Sequence, residues 1–188
     1  MKKINTALIV FISIISCLSF SNKPNEDVLV SNYIEVYREI AVVEMHRSGI
    51  PASITLAQAL HESSNGFSKL ATDANNHFGI KCKNYWVGQT YFHKDDDFDG
   101  QGNLLESCFR SYDSVMDSYI DHSNFLMMTS HYATLFNNNK NDYKAWAHGL
   151  KNCGYATDAR YAEKLISKIE KYNLNQYDSW ENPYKSIK

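Results

Sequence analysis

The sequence predicts a mainly helical α+β domain with a small antiparallel β-hairpin lobe. Apolar residues recur at helical spacing before and after the centre of the chain, which indicates amphipathic helices. Between them, residues 78–109 hold short β-type runs around the turn sequence Asp99-Gly100. The length of 188 residues suits one domain with a hydrophobic core and is too short for two of ordinary size.

Two helices are expected at the start of this domain. The first covers Asp27–Ser48 and ends at Gly49, since glycine commonly terminates helices. The second begins after Pro51 and stops at Asn65-Gly66, so that Glu62 lies in its last turn. The residues that form its inner face are spaced by three or four positions: Ile54, Ala57, Leu60 and His61.

Three β-type runs follow, over Phe78–Cys82, Gln89–His93 and Leu104–Arg110. The cysteines Cys82 and Cys108 flank the same predicted β segment. We therefore prefer them as a disulfide pair.

Helical periodicity resumes after the hairpin. Asp113 is the expected N-cap of the next helix, and another covers Asp142–Lys151. Thr157 is the expected N-cap of the last helix. The apolar stripe of that helix contains Ala159, Ala162, Leu165, Ile166, Ile169 and Tyr172. The folded domain is therefore expected over residues 22–176, with 177–188 as a peripheral tail.

The first 21 residues are expected to act as a secretory signal. Lys2 and Lys3 form a positive start, and the apolar stretch Ile4–Cys17 is too short to span a bilayer comfortably. Two sites of signal-peptide cleavage remain open, a lipobox that ends at Cys17 and a soluble-export site at Ser19–Ser21. We prefer the lipobox, which would anchor the protein to a membrane through acyl chains on Cys17.

The charge and the cysteine spacing limit which partners and cofactors are expected. The formal net charge of −2 provides no basic surface to hold a phosphate backbone, so nucleic acid is not expected as a partner. Apart from Cys17, the cysteines are Cys82, Cys108 and Cys153, and none has the spacing of metal ligands. We therefore predict no zinc site and no cofactor.

Glu62 is the first candidate for catalysis. The helix that contains it is otherwise made of small and apolar residues, so its carboxyl group should be partly desolvated. Desolvation raises the pKa of a carboxyl group and suits it to donate a proton near neutral pH. The competing interpretation is a solvated glutamate at a helix end, which on spacing alone is the more common case.

Four blocks in order resemble a known family. They are IPASITLAQALHESSNG at 50–66, SKLA at 68–71 with NNHFGIK at 75–81, FRSYDSVMDSYIDH at 109–122, and DYKAWAHGLKNCGYATDARYAEKLI at 142–166. Together they resemble the bacterial peptidoglycan endo-β-N-acetylglucosaminidases of glycoside hydrolase family 73, from about Ile34 to Tyr172. The resemblance implies a lysozyme-like fold and hydrolysis of the β-1,4 bond after N-acetylglucosamine. It also implies that Glu62 is the general acid.

A second acidic residue is expected on the hairpin. The family commonly has an acid followed by an aromatic residue before the turn, and Asp97 followed by Phe98 matches best. Side chains alternate along a regular strand, so Asp97 and Asp96 would face opposite sides. We predict Asp97 as the second catalytic carboxylate, Asp96 as the next choice and Glu106 as the third. Retaining, inverting and substrate-assisted mechanisms all remain open.

The same hairpin allows an alternative interpretation as a calcium loop. The pattern with acids at Asp95, Asp97 and Asp99, then Gly100 and Glu106, matches the spacing of EF-hand ligands. Helices flank an EF-hand loop, whereas β-type runs flank this one. We therefore prefer an acidic hairpin without calcium.

Aromatic and amide side chains are the candidates for binding a sugar, because aromatic rings stack on the C–H faces of sugars while amides bond to hydroxyl and acetamido groups. The resemblance suggests Tyr155, Asn76 and Phe78, and for Phe78 a place in the core is the competing interpretation. Trp86 is expected at the rim of the cleft and Trp146 in the structural core.

The sequence thus predicts an exported, monomeric glycoside hydrolase of the periplasm or cell envelope that acts on peptidoglycan glycan strands. Two alternatives remain, a module that binds cell-wall glycan without cutting it and an endoglycosidase that acts on N-glycans.

Overall fold

The computed structural model describes residues 25–185, so the predicted signal sequence and Cys17 lie outside the described residues. Its α-helices and strands, in chain order, are α1 Glu26–Ser48, α2 Ala52–Glu62, α3 Lys69–Ala74, β1 Thr90–Phe98, β2 Leu104–Arg110, α4 Val115–Met128, α5 Tyr143–Asn152 and α6 Tyr161–Lys171. Two short 3₁₀-helices cover Ser130–Asn137 and Leu174–Ser179. The predicted mainly helical α+β class is confirmed. None of the helices in this part of the chain is long and apolar enough to cross a membrane.

Helix α2 is the centre of the fold. Every residue from Ala52 to Leu60 is buried, and a helix that is buried on all sides must be surrounded by other elements. Helices α1 and α6 and the 3₁₀-helix Leu174–Ser179 pack around it. Glu62 is the last residue of α2 and is half-buried, in contrast to the buried residues Ala52–Leu60 before it.

The start of α2 is capped from the far end of the chain. Pro51 precedes the helix and offers no side-chain hydrogen bond to its first turn. The carboxylate of Asp178 instead accepts hydrogen bonds from the backbone N–H of Ser53 at 2.8 Å and from its hydroxyl group at 2.7 Å. Tyr177 is buried as well. The expectation of a peripheral tail from residue 177 is therefore wrong for these two positions, because α2 needs an acceptor there.

The hairpin is antiparallel and irregular near its turn. Thr90 pairs with Arg110 and Lys94 with Glu106, but the next pair is Phe98 with Leu104. Three residues of β1 therefore face one residue of β2, as in a β-bulge. The backbone register is therefore irregular over the segment that contains Asp96 and Asp97.

The run over Phe78–Cys82 does not form the predicted strand. It contributes one isolated bridge, between Lys81 and Phe109. The predicted disulfide is confirmed: Cys82 is bonded to Cys108 with their Cα atoms 5.3 Å apart, and Cys153 carries a free thiol.

Some of the observed helix ends agree with those predicted from the sequence, and others differ. Gly49 ends α1 in the left-handed conformation at φ 81°, as predicted. Asp142, the first residue of the helix predicted over Asp142–Lys151, is the N-cap of α5. The cap of α4 is Ser114 instead of Asp113, because Ser114 and Asp117 form a reciprocal capping box. Thr157 does not cap α6, which begins only at Tyr161.

Candidate active site

Glu62 lies in the wall of a cavity of about 260 Å³, which we call the Glu62 cavity. The other residues that line this cavity are Phe78, Gly79, Ile80, Lys81, Lys83, Phe125, Tyr132, Tyr155 and Ala156. Most of these side chains are apolar or aromatic, so the carboxyl group of Glu62 has little solvent around it. Two of the predicted substrate-binding residues, Phe78 and Tyr155, are in this lining.

The surroundings of Glu62 favour its protonated form. Burial raises the pKa of its carboxyl group above the ordinary value, and the hydrogen bond from Tyr161 lowers it by a smaller amount. The balance is a raised pKa, which confirms the predicted desolvation. A carboxylic acid of this kind can donate a proton at a pH where an exposed glutamate is ionised.

Tyr161 fixes one oxygen of this carboxyl group. Its hydroxyl group donates to Glu62 Oε1 at 2.7 Å and accepts from Gln58 Nε2 at 3.1 Å. Gln58 is 0% and Tyr161 1% exposed, so this part of the hydrogen-bonded chain is shielded from water. Oε1 is thereby held, and among the described residues no hydrogen bond is made to Oε2.

Sequence reasoning missed Tyr161 as the partner of Glu62. The two residues are 99 positions apart, and no spacing rule connects the last turn of one helix to the first turn of another so distant in the chain. The only sequence signal was indirect: Tyr161 lies in one of the blocks that resemble the family.

Tyr155 reaches the Glu62 cavity through a sharp turn after α5. Gly154 has a φ of 79°, in the left-handed region, and the next N–H group, that of Tyr155, donates to the carbonyl of Leu150 at 3.0 Å. The ring of Tyr155 stacks on that of Tyr161 with centroids 5.6 Å apart. The structure therefore places Tyr155 against the residue that holds Glu62.

Phe78 forms another part of this lining and also belongs to the core. It is 4% exposed and stacks on the buried ring of His122 with centroids 3.9 Å apart. Burial lowers the pKa of His122 to about 3, so this imidazole is neutral and packs as an apolar group. Both interpretations of Phe78 thus apply at once, because its edge meets the cavity and its face supports the core.

Asn76 does not line the Glu62 cavity. Its side-chain nitrogen donates to the carbonyls of Ile80 at 3.0 Å and Arg110 at 2.8 Å. Its side-chain oxygen accepts from the N–H groups of Phe78 at 3.4 Å and Ile80 at 3.1 Å. With the carboxamide fully used and buried, Asn76 holds the Phe78–Ile80 segment in place instead of offering its amide to a ligand.

One ion pair relates the acidic segment of the hairpin to this cavity. Asp96 and Asp97 belong to β1, but their side chains are outside the described part of the structure. Their neighbour Asp95 forms an ion pair with Lys81 at 2.9 Å, and Lys81 lines the Glu62 cavity. Glu106, the third choice, is exposed on β2.

Asp99 closes the turn of the hairpin. Its carboxylate accepts from the N–H groups of Gln101 and Asn103, both at 2.8 Å, and from the side-chain amide of Asn103 at 3.0 Å. These bonds lower the pKa of Asp99, the bond from the Asn103 side chain having the largest effect. Where side chains are described, no group of three acidic, histidine or cysteine residues is placed to hold a metal ion.

The sequence of this chain matches a family model and is similar to known proteins. A family model described as mannosyl-glycoprotein endo-beta-N-acetylglucosaminidase matches residues 38–174. The exo-glucosaminidase LytG of Bacillus subtilis (strain 168) is 36% identical over 142 residues, which are 72% of this chain and 49% of LytG. The peptidoglycan hydrolase FlgJ of Vibrio cholerae is 31% identical over 134 residues, which are 67% of this chain and 40% of FlgJ. This chain therefore spans about half of these relatives or less.

The fold is also similar to solved structures. The catalytic domain of the autolysin Auto from Listeria monocytogenes has a TM-score of 0.71 and 28% identity, covering 85% of this chain and 91% of the domain. The similarity confirms the predicted lysozyme-like fold.

Proposed function

This chain belongs to the glucosaminidase family, and on that premise we propose that it hydrolyses the β-1,4 bond after N-acetylglucosamine in peptidoglycan glycan strands. Relatives named as glucosaminidase and peptidoglycan hydrolase support the substrate class. The observation that carries the proposal is the half-buried Glu62, with a raised pKa, in the wall of a cavity lined by aromatic residues.

Glu62 acts as the general acid. Its proton passes to the glycosidic oxygen as the bond to the sugar breaks, which makes the leaving group a neutral alcohol. The Tyr161 hydroxyl group keeps Oε1 oriented, so the proton is delivered from Oε2. After transfer, the same Tyr161 hydrogen bond stabilises the carboxylate that remains.

A hairpin carboxylate stabilises the positive charge that develops on the sugar ring. Asp97 is our first choice and Asp96 the second, since both lie in the irregular part of β1. Bulges of this kind can redirect a side chain toward an active site. The ion pair of Asp95 with Lys81 supports this assignment, because it ties the same segment to the edge of the Glu62 cavity.

Tyr155 and Phe78 contact the sugar next to the bond that is cut. Both line the Glu62 cavity, and an aromatic face there can stack on the C–H face of a sugar. Asn76 contributes by positioning Phe78, since all its hydrogen-bonding groups are used within the protein.

The protein is proposed to work outside the cytoplasm as a monomer held in the cell envelope. The sequence of residues 1–21 supports export, and a lipidated Cys17 would anchor the domain at a membrane surface. The anchored domain would then reach the glycan strands beside that membrane.

A second candidate function is cleavage of N-glycans. The description of the matching family model, a mannosyl-glycoprotein endoglycosidase, favours it. The chemistry at Glu62 would be the same, and only the groups that recognise the substrate would differ.

One experiment separates these functions. The protein is incubated with purified peptidoglycan and with an N-glycosylated protein, and the sugar at each new reducing end is identified. The proposal predicts N-acetylglucosamine ends from peptidoglycan and no release from the glycoprotein. Cleavage of the glycoprotein alone would support the second function, and binding without cleavage of either would indicate a glycan-binding module.

A further inference from the structure

A second cavity of about 630 Å³ adjoins the Glu62 cavity, and we call it the distal cavity. Its lining consists of Tyr85, Trp86, Arg110, Asp121, Asn124, Phe125, Met128, Thr129 and Ser130. Phe125 lines both cavities, so they meet at this side chain.

A continuous file of aromatic rings leads from Glu62 to the distal cavity. Tyr155 stacks on Tyr161, the partner of Glu62, and lies 6.2 Å from Tyr132 between ring centroids. Tyr132 in turn lies 5.5 Å from Phe125. The two cavities therefore share aromatic side chains in their walls, and we refer to them together as the groove.

Two aromatic residues of the distal cavity, the exposed Tyr85 and the half-buried Trp86, are held in place by hydrogen bonds. Tyr85 is 64% exposed, yet its hydroxyl group accepts from Arg110 at 3.2 Å. Trp86 donates through its ring nitrogen to the carbonyl of Gln89 at 2.9 Å, and the Arg110 guanidinium group lies 4.5 Å from its ring centroid. Rings that are fixed before a ligand arrives lose little conformational entropy when it binds.

Arg110 is itself anchored. It is 4% exposed and donates to both oxygens of Asp121, at 2.9 and 2.8 Å. Asp121 also accepts from the hydroxyl group of Tyr112 at 2.6 Å. Cys108, two positions before Arg110, is bonded to Cys82, three positions before Tyr85, which ties the segment with the aromatic pair to β2.

The charges and polar groups of the distal cavity suit a neutral ligand. Arg110 and Asp121 are the only charged residues in its described lining, and they neutralise each other. Asn124 accepts from Arg47 at 2.9 Å through its side-chain oxygen, so its amide nitrogen is oriented to donate to a ligand. Thr129 and Ser130 add hydroxyl groups to the same lining. Aromatic faces beside uncharged donors and acceptors are suited to sugar recognition.

We propose that the distal cavity is a subsite for a sugar residue of the same glycan strand, remote from the cleaved bond, with Tyr85 and Trp86 as its stacking platform. This inference rests on the proposed function and specifies its substrate as an extended strand.

The test compares cleavage of short and long glycan strands from which the peptides have been removed. The variants are Tyr85→Ala and Trp86→Ala, and Tyr184→Ala is the matched control, since Tyr184 is also exposed (49%) but lines neither cavity. In each of the two groove variants, the ratio of kcat/KM for long strands to kcat/KM for the shortest cleaved oligosaccharide should fall about tenfold. The control should keep the wild-type ratio, and Tyr85→Phe should retain most of it because the ring remains.

A binding measurement keeps this test independent of catalysis. In the Glu62→Gln background, adding Tyr85→Ala should weaken the affinity for long peptide-free strands about tenfold. An unchanged ratio together with unchanged affinity would overturn the subsite while leaving the proposed function intact. A loss confined to strands that still carry peptides would also overturn it, by assigning the cavity to the peptide. Full activity of the Glu62→Gln protein would instead refute the proposed function.

Discussion

Helix α2 and the β-hairpin provide the two sets of candidate catalytic acids, and they are held in place differently. Helix α2 is buried from Ala52 to Leu60 and is capped by Asp178. The hairpin is a sheet of two strands with exposed Phe92 (61%) and Phe98 (59%). A hairpin of two strands is marginally stable alone and relies on ties to other elements. The core therefore sets the position of Glu62, whereas a few contacts set the position of the hairpin.

The largest effect is expected from Glu62→Gln. Glutamine keeps an oxygen that can accept from Tyr161 but cannot protonate the leaving oxygen, so kcat should fall by about 10²- to 10⁴-fold. Release of reducing ends from purified peptidoglycan measures this loss. The matched control is Glu39→Gln, on the exposed side of α1, which should keep wild-type activity. Equal activity of the two variants would remove Glu62 from the mechanism.

The next effect concerns the hairpin, where the irregular register leaves the choice between two acids to experiment. Asp97→Asn should lower kcat by about 10²-fold, and Asp96→Asn should have a much smaller effect. The same reducing-end assay compares them at equal protein concentration. A larger loss in Asp96→Asn would transfer the role to that residue and show that the bulge turns it toward the groove.

The smallest of the three effects is on stability. Asp178→Ala removes the remote cap of α2 and leaves two donors of Ser53 without their acceptor, so unfolding should cost about 1–2 kcal/mol less. Urea unfolding measures this change. Asp178→Asn should lose less, because its side-chain oxygen can still accept from the Ser53 N–H group. Equal stability of Asp178→Ala and wild type would show that the core alone holds the start of α2.

Patterns with a regular period predicted the helical part of the fold well. The bounds of α1 and the start of α2 follow from apolar spacing and from Gly49 and Pro51, because these signals act within a few residues of the chain. The desolvation of Glu62 was predictable from local sequence as well, because the turns before it contain the small or apolar residues Leu56, Ala57, Ala59 and Leu60.

Contacts between distant residues could not be predicted in this way. Tyr161 at Glu62 and Asp178 at Ser53 join positions that only the folded core brings together. The register shift in β1 could not be predicted either, because the alternation rule assumes a regular strand and the local composition does not mark where a bulge occurs. Thr157 failed as a cap because the chain makes further turns before α6 begins.

The most direct measurement is the pKa of the Glu62 carboxyl group, followed by carbon NMR and assigned by the loss of its signal in Glu62→Gln. Burial should place this pKa above the ordinary 4.5 of glutamate, so the acid form persists to higher pH and activity falls as pH rises through that pKa. Tyr161→Phe removes the hydrogen bond that favours the carboxylate and should raise the pKa further. A pKa at or below 4.5 in the wild-type protein, or one lowered by Tyr161→Phe, would contradict the assignment of Glu62 as a desolvated general acid.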